Sequence, residues 1–87
     1  MYLFGFPRTT FVDMNGIRTQ ALHIDSEARE VKESAALPDI LHTAEEIFDC
    51  LHSCETGLRI LQEKYGVDVD AVHAFVKEKN HRRGYYS

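Results

Sequence analysis

The sequence predicts an all-α domain in which two or three helices of each chain form a bundle with the helices of another chain. From about residue 19 onward, apolar residues recur at steps of three and four, which is the spacing of one helix face. Pro38 and Gly66 interrupt this pattern where helices are expected to end. A chain of 87 residues has room for only a small core, so we expect a homodimer or homotetramer to complete it.

Residues 1–18 form an N-terminal arm in this prediction, and residues 19–87 form the helical domain. A short strand from Tyr2 to Phe6, ending at Pro7, is compatible with the sequence. The segment from Thr9 to Val12 is rich in β-prone residues and precedes the turn dipeptide at residues 15 and 16. A small hairpin and an irregular arm both remain open for this region.

Three helices are predicted in the domain, at about residues 19–36, 39–64 and 69–82. Asp39 and Asp68 are placed to cap the second and third helices. The apolar stripe of the first helix contains Ala21, Leu22, Ala28, Val31 and Ala35. The stripe of the second contains Ile40, Leu41, Ala44, Ile47, Phe48, Leu51, Leu58 and Leu61, and that of the third contains Val69, Val72, Phe75 and Val76.

Composition excludes several classes of function. Ten Lys and Arg residues stand against fourteen Asp and Glu residues, so we expect no nucleic-acid partner. The apolar start of the sequence is too short to span a membrane and lacks the features of a signal peptide, which indicates a cytoplasmic protein without a membrane partner. Cys50 and Cys54 are then expected to be reduced, and with His52 pointing elsewhere they do not make a zinc site.

Two pairs of acidic residues are the candidates for chemistry. Glu27 and Glu30 are three apart on the first helix, and Glu46 and Asp49 are three apart on the second, so each pair shares a helix face. If the two helices pack antiparallel, the pairs can face one another. Converging carboxylates repel unless a cation lies between them, and such hard oxygen ligands favour Mg²⁺ or Mn²⁺.

Three segments in this order resemble MazG-like nucleotide pyrophosphohydrolases, the all-α NTP pyrophosphatase superfamily. The segment from His23 to Val31 is similar to the first metal-binding helix of that family, whose signature is E-E-x-x-E followed by an apolar residue. Ser26 stands where the first Glu of the signature is expected. The sequence E-I-F-D at residues 46–49 resembles the second motif, E-x-x-D, and K-N-H-R-R at residues 79–83 resembles the closing K-N-x-x-R element.

The resemblance implies an Mg²⁺-dependent enzyme, with Mn²⁺ as an alternative cation, that hydrolyses a nucleoside triphosphate to a monophosphate and pyrophosphate. It assigns catalysis and metal binding to four acids, Glu27, Glu30, Glu46 and Asp49. It assigns substrate binding to Lys79, Asn80 and Arg83. Either Glu30 or Glu46 is expected to act as general base. A second register, with Glu30 and Glu33 as the first-helix ligands, remains open.

A rival interpretation belongs to another class of protein. In it the chain is a non-catalytic helical dimerisation or adaptor protein, and the acids are only solvated surface charge. A third interpretation is a nucleotide-binding relative without turnover. Ser26 and the short chain favour the adaptor interpretation, whereas the three ordered motifs favour the enzyme.

Overall fold

The computed structural model describes residues 5–87, and this part of the chain contains four helices and no strand. Helix α1 spans Phe11–Met14, α2 spans Ile17–Ala35, α3 spans Ile40–Tyr65 and α4 spans Val69–Arg82. The three long helices begin and end within two residues of the predicted bounds. The all-helical class is therefore confirmed.

The predicted end signals act locally as expected. The side chain of Asp39 accepts a hydrogen bond from the His42 amide at 3.1 Å, and Asp68 accepts one from the Ala71 amide at 3.1 Å. These bonds satisfy backbone donors that a first helical turn leaves free. Gly66 ends α3 with a φ of 68°, in the left-handed region that glycine adopts without strain.

Of the two alternatives left open for the arm, the hairpin does not form within the residues that the structure describes. The segment from Thr9 to Val12 leads into helix α1 instead of a strand, and positions 2–4 of the proposed first strand lie outside the described residues. The helical turn places Val12 in the core, where it is fully buried. Lys64 of α3 donates to the backbone oxygens of Asp13 and Asn15 at 3.2 and 2.9 Å. The β-propensity of this segment is weak and yields to these tertiary contacts.

Helices α2 and α3 form an antiparallel hairpin held by polar contacts at two levels. At one level, the Gln20 side chain donates to the backbone oxygen of Ser53 at 3.0 Å. At the other, near the connection between the helices, the Ser34 and Thr43 hydroxyls lie 3.0 Å apart. Gln20, Glu27 and Ser34 are spaced seven apart on the face of α2 that meets α3, since that spacing returns to nearly the same direction.

The predicted apolar stripes lie on a different face of this hairpin. Positions 21, 28 and 35 of α2 are exposed alanines, and Ile40 and Ile47 of α3 are exposed by 77% and 44%. The two stripes meet at a groove lined by Ala28, Val31, Ile47, Cys50 and Leu51. We call this surface the apolar face. Among residues 5–87 the fully or nearly buried apolar side chains are Val12, Ile60 and Val69, which is a very small core for three long helices.

Helix α4 extends away from the hairpin. Its first residue, Val69, is buried, whereas Val72 and Phe75 are exposed. Its basic C-terminal end therefore does not pack along α2 and α3. None of the helices in residues 5–87 combines the length and the apolar character needed to cross a membrane.

Candidate metal centre

Three carboxylates converge where α2 and α3 cross. Glu27 of α2 and Glu46 and Asp49 of α3 each place one oxygen so that the three atoms lie within 4.8 Å of one another. The antiparallel hairpin produces this meeting because the level of Glu27 lies between the Gln20–Ser53 and Ser34–Thr43 contacts. We call these three residues the acidic cluster.

The electrostatics of the cluster are those of crowded like charges. Burial raises the pKa of Glu27, and Glu30 raises it further through a shared hydrogen bond and its charge. The charge of Asp49 acts in the same direction, while His23 lowers the pKa. His23 Nε2 lies 3.1 Å from Glu27 Oε1. A cation at the cluster would relieve the repulsion that these shifts record.

Glu46 provides a further sign that the cluster suits a cation. Its Oε1 lies 3.3 Å from His42 Nε2, whereas its Oε2 is shielded from solvent and has no hydrogen-bond partner within residues 5–87. Glu55 also has shielded oxygens without hydrogen bonds, but Arg59 lies 3.9 Å away and balances its charge. A buried carboxylate oxygen without a partner is costly, and a hard cation is a suitable partner for it. The donor set therefore fits Mg²⁺ or Mn²⁺.

The fourth predicted ligand, Glu30, lies beside the cluster. It is exposed, contacts Glu27 and lines a second hollow, which Glu33 and the cluster residue Glu46 also line. Glu33 is exposed and lies on the side of α2 away from Glu27, since the two residues differ by about 120° around the helix axis. The structure thus brings Glu27 to both second-helix acids, whereas Glu33 shares only the second hollow with Glu46.

The three predicted substrate-binding residues lie on or just after α4. Lys79 and Asn80 are half-buried, and the Arg83 guanidinium lies 5.9 Å from the ring centre of Tyr85. No hydrogen bond or ion pair within residues 5–87 connects Lys79, Asn80 or Arg83 to the acidic cluster. The structure does not bring these residues to the cluster within one chain.

A cavity of about 140 Å³ adjoins the acidic cluster on the side opposite the apolar face. Glu27 and Asp49 line one end of it. Gln20, Ser53 and Thr56, all buried, line the other end. Sequence reasoning missed this end, because polar residues at helix positions 20, 53 and 56 carry no signal until the two helices are paired.

The arm and α1 supply the remaining wall of the cavity. Thr9 and Phe11 line it together with His23 and His52. The Thr9 and Thr56 hydroxyls lie 3.3 Å apart, and the Phe11 and His23 ring centres lie 5.6 Å apart. His52 is held from the other side, where the Phe6 ring stacks on it at 4.3 Å. The arm therefore builds part of the site.

The two cysteines are free thiols on α3 and take no part in the cluster. Burial raises the pKa of the Cys54 thiol, and Cys50 raises it further. A raised thiol pKa disfavours the thiolate that zinc requires. This agrees with a packing role for Cys54.

No family model, curated protein or solved structure matches this chain.

Proposed function

We propose that this chain is an Mg²⁺-dependent nucleotide pyrophosphohydrolase of the MazG-like type, which acts as an oligomer in the cytoplasm. The observation that supports this most is the meeting of Glu27, Glu46 and Asp49 within 4.8 Å, because two separate motifs of the resemblance supply them. The shielded, unpartnered oxygen of Glu46 adds a physical reason for a cation there. The cavity beside the cluster offers space for part of a nucleotide.

Residues Glu27, Glu46 and Asp49 would hold the cation, and Glu30 would complete the set or work beside it. A bound Mg²⁺ supplies positive charge for the phosphate oxygens and lowers the pKa of a coordinated water. Glu30 is exposed and lies beside Glu27, so it is suited to accept the proton of the attacking water.

In the reaction, the water oxygen forms a bond to a phosphorus of the α–β anhydride. The bond from that phosphorus to the bridging oxygen breaks, and pyrophosphate separates from the nucleoside monophosphate. The water proton passes to the Glu30 carboxylate. Lys79, Asn80 and Arg83 would bind the phosphates and stabilise the charge that develops on the leaving group.

The test is pyrophosphate release from a panel of nucleoside triphosphates with and without Mg²⁺. We expect Mg²⁺-dependent release by the unaltered protein and at least a tenfold loss in Asp49→Asn, about 1.4 kcal/mol of barrier. Asp70→Asn, an exposed Asp on α4, is the matched control and should keep full activity. Turnover that survives in Asp49→Asn would contradict the assignment.

Thermal unfolding gives a second readout that does not need turnover. A cation that binds only the folded chain stabilises it by about 2.7 kcal/mol at a hundred times its dissociation constant. Mg²⁺ or Mn²⁺ should therefore raise the melting temperature beyond the effect of Na⁺ at equal ionic strength, and Asp49→Asn should remove that rise. The adaptor alternative, which the exposed apolar face favours, predicts equal responses to Mg²⁺ and Na⁺ and no turnover.

A further inference from the structure

The two helices that supply the acidic cluster carry the same pair of residue types at the same spacing. His23 precedes Glu27 by four residues on α2, and His42 precedes Glu46 by four residues on α3. Residues four apart lie on the same side of a helix, so each imidazole is placed next to its glutamate. Both glutamates belong to the acidic cluster. One histidine on each helix therefore flanks the cluster.

Each imidazole lies close to one oxygen of its carboxylate. His23 Nε2 lies 3.1 Å from Glu27 Oε1, and His42 Nε2 lies 3.3 Å from Glu46 Oε1. These separations are close to those of N–H···O hydrogen bonds, in which an ionised carboxylate can only accept. The other oxygen of Glu46, Oε2, is shielded from solvent and has no hydrogen-bond partner within residues 5–87. The contact with His42 thus engages one oxygen of Glu46 and leaves the other for a cation.

The two histidines are not placed as ligands themselves. Within residues 5–87, the group of side-chain atoms that lie within 4.8 Å of one another is made of the three acids and includes neither imidazole. The two histidine side chains are 40% and 49% exposed, whereas the glutamates that they contact are 21% and 16% exposed. The imidazoles therefore lie farther out than the acids and can act on a cation only through them.

Further contacts restrict the position of each histidine. The Phe11 and His23 ring centres lie 5.6 Å apart, a separation typical of packed aromatic rings. The backbone amide of His42 donates to the Asp39 side chain at 3.1 Å, at the start of α3. Because these contacts limit where the imidazoles can lie, each imidazole can hold its carboxylate in one orientation.

We propose that His23 and His42 are positioning residues of the cation centre. They donate from Nε2 to Oε1 of Glu27 and Glu46, which leaves the second oxygen of each carboxylate to face the cation. The proposal rests on the proposed function, because it takes the three acids to hold a divalent cation. Removing the hydrogen-bond partner of a metal ligand typically costs about 10- to 100-fold in metal affinity. Loss of either imidazole should therefore weaken cation binding within this range.

The experiment measures Mn²⁺ binding to the full chain by electron paramagnetic resonance, which detects the free ion. His23→Leu and His42→Leu should each weaken Mn²⁺ binding at least about tenfold. His73→Leu, which replaces an exposed histidine on α4, is the matched control and should bind Mn²⁺ as the unaltered chain does.

Amide substitutions separate the role of the Nε2 donor from that of the ring as a whole. The side-chain nitrogen of Gln is as many bonds from Cα as His Nε2, whereas that of Asn corresponds to His Nδ1. His23→Gln and His42→Gln should therefore restore most of the Mn²⁺ affinity that the leucine variants lose. His23→Asn and His42→Asn should bind Mn²⁺ as weakly as the leucine variants.

Unchanged or tighter Mn²⁺ binding in the leucine variants, with their fold verified by circular dichroism, would overturn the proposal. Equal Mn²⁺ affinities of His23→Gln and His23→Asn would also overturn it. The outcome is separable from that of the proposed function. Full turnover and unchanged Mn²⁺ binding in the leucine variants reject the positioning role while the enzyme stands. Histidine-dependent Mn²⁺ binding without hydrolysis of any nucleoside triphosphate supports the positioning role while the enzyme fails, and an unaltered chain that binds no Mn²⁺ rejects both.

Discussion

Arg8 links the arm, α1 and α3 through one guanidinium. Its Nη2 lies 2.7 Å from Asp13 Oδ1 and 2.9 Å from Glu63 Oε1. These contacts hold the arm over the helix that lines the cavity. They also lower the pKa of both carboxyls, chiefly through the hydrogen bonds from Arg8.

A pH dependence of the arm follows from these lowered pKa values. An acid whose folded-state pKa is depressed contributes stability above its unfolded pKa and loses that contribution as pH falls through the folded pKa. We expect the arm to loosen as pH falls below about 4, the ordinary range of Asp and Glu. The NMR shifts of the Val12 methyl groups should report this change.

The matched variant for this experiment is Arg8→Ala. It should give the loosened Val12 shifts already at neutral pH and should show little further change in acid. If the Val12 shifts change equally with pH in both proteins, the pH dependence comes from titrating groups other than the two carboxyls that bind Arg8.

The choice between the two first-helix registers is also decided at single residues. Glu27 lies in the acidic cluster with both Glu46 and Asp49, whereas Glu33 shares a separate hollow with Glu46 but not with Asp49. Gln keeps the size of Glu but removes the anionic oxygen that a hard cation prefers. Glu27→Gln should therefore reduce turnover at least about tenfold, or about 1.4 kcal/mol of barrier, while Glu33→Gln should leave it nearly unchanged. Damage from Glu33→Gln alone would move the register by three residues.

At the scale of helices, the three long helices follow from local signals that a sequence displays. Capping by Asp39 and Asp68, the left-handed Gly66 and the period of apolar residues act within a few residues of each boundary. The meeting of the acidic residues was predictable for a related reason. Two acids three residues apart share a helix face, and an antiparallel pair of helices can bring two such faces together. Helix α1 and the cavity wall were not predictable from the sequence. They depend on contacts between distant residues, such as Arg8 with Glu63, which are 55 residues apart.

The close approach of α2 and α3 depends on Gly57. A methyl group at this position would lie 3.3 Å from Ile24 Cδ1 and 3.7 Å from Gln20 Cγ. Overpacking a core typically costs about 1–3 kcal/mol, and the higher helix propensity of Ala offsets about 1 kcal/mol. We expect Gly57→Ala to lower the free energy of unfolding by about 1 kcal/mol, measured by urea denaturation.

Ile24→Val provides the matched background because Val lacks the Cδ1 atom. In that background Gly57→Ala should be neutral or stabilising, and the double-mutant cycle should show the coupling between the two sites. If Gly57→Ala lowers the free energy of unfolding equally in both backgrounds, the strain does not come from contact with Ile24 Cδ1.

At the scale of the whole molecule, the described residues leave many large apolar side chains exposed. Three buried apolar side chains in residues 5–87 stand against exposed Ile40, Leu41, Ile47 and Phe48 on α3 alone. Two copies packed through their apolar faces would form a four-helix bundle, the arrangement in which amphipathic helix pairs commonly bury such stripes. Such a dimer would leave the cavity and the acidic cluster, on the other side of each hairpin, open to solvent. It would also place a second chain near α4, which carries Lys79 and Asn80 and leads into Arg83.

The apolar face can be tested by comparing two apolar-to-charged substitutions. Ile47 lies in the groove of that face. Leu22, which the sequence assigned to the apolar stripe of the first helix, does not line that groove; it is 73% exposed and shares a helix face with the ion-paired Asp25 and Arg29. If the protein were a monomer, both Ile47→Asp and Leu22→Asp should leave it folded, because both side chains are exposed. In a dimer through the apolar face, Ile47→Asp buries an unpaired charge at the interface and should give monomers or unfolded chain in light scattering at micromolar concentration. Leu22→Asp should keep the mass of a dimer or tetramer, and a monomeric mass for the unaltered protein would reject the assembly.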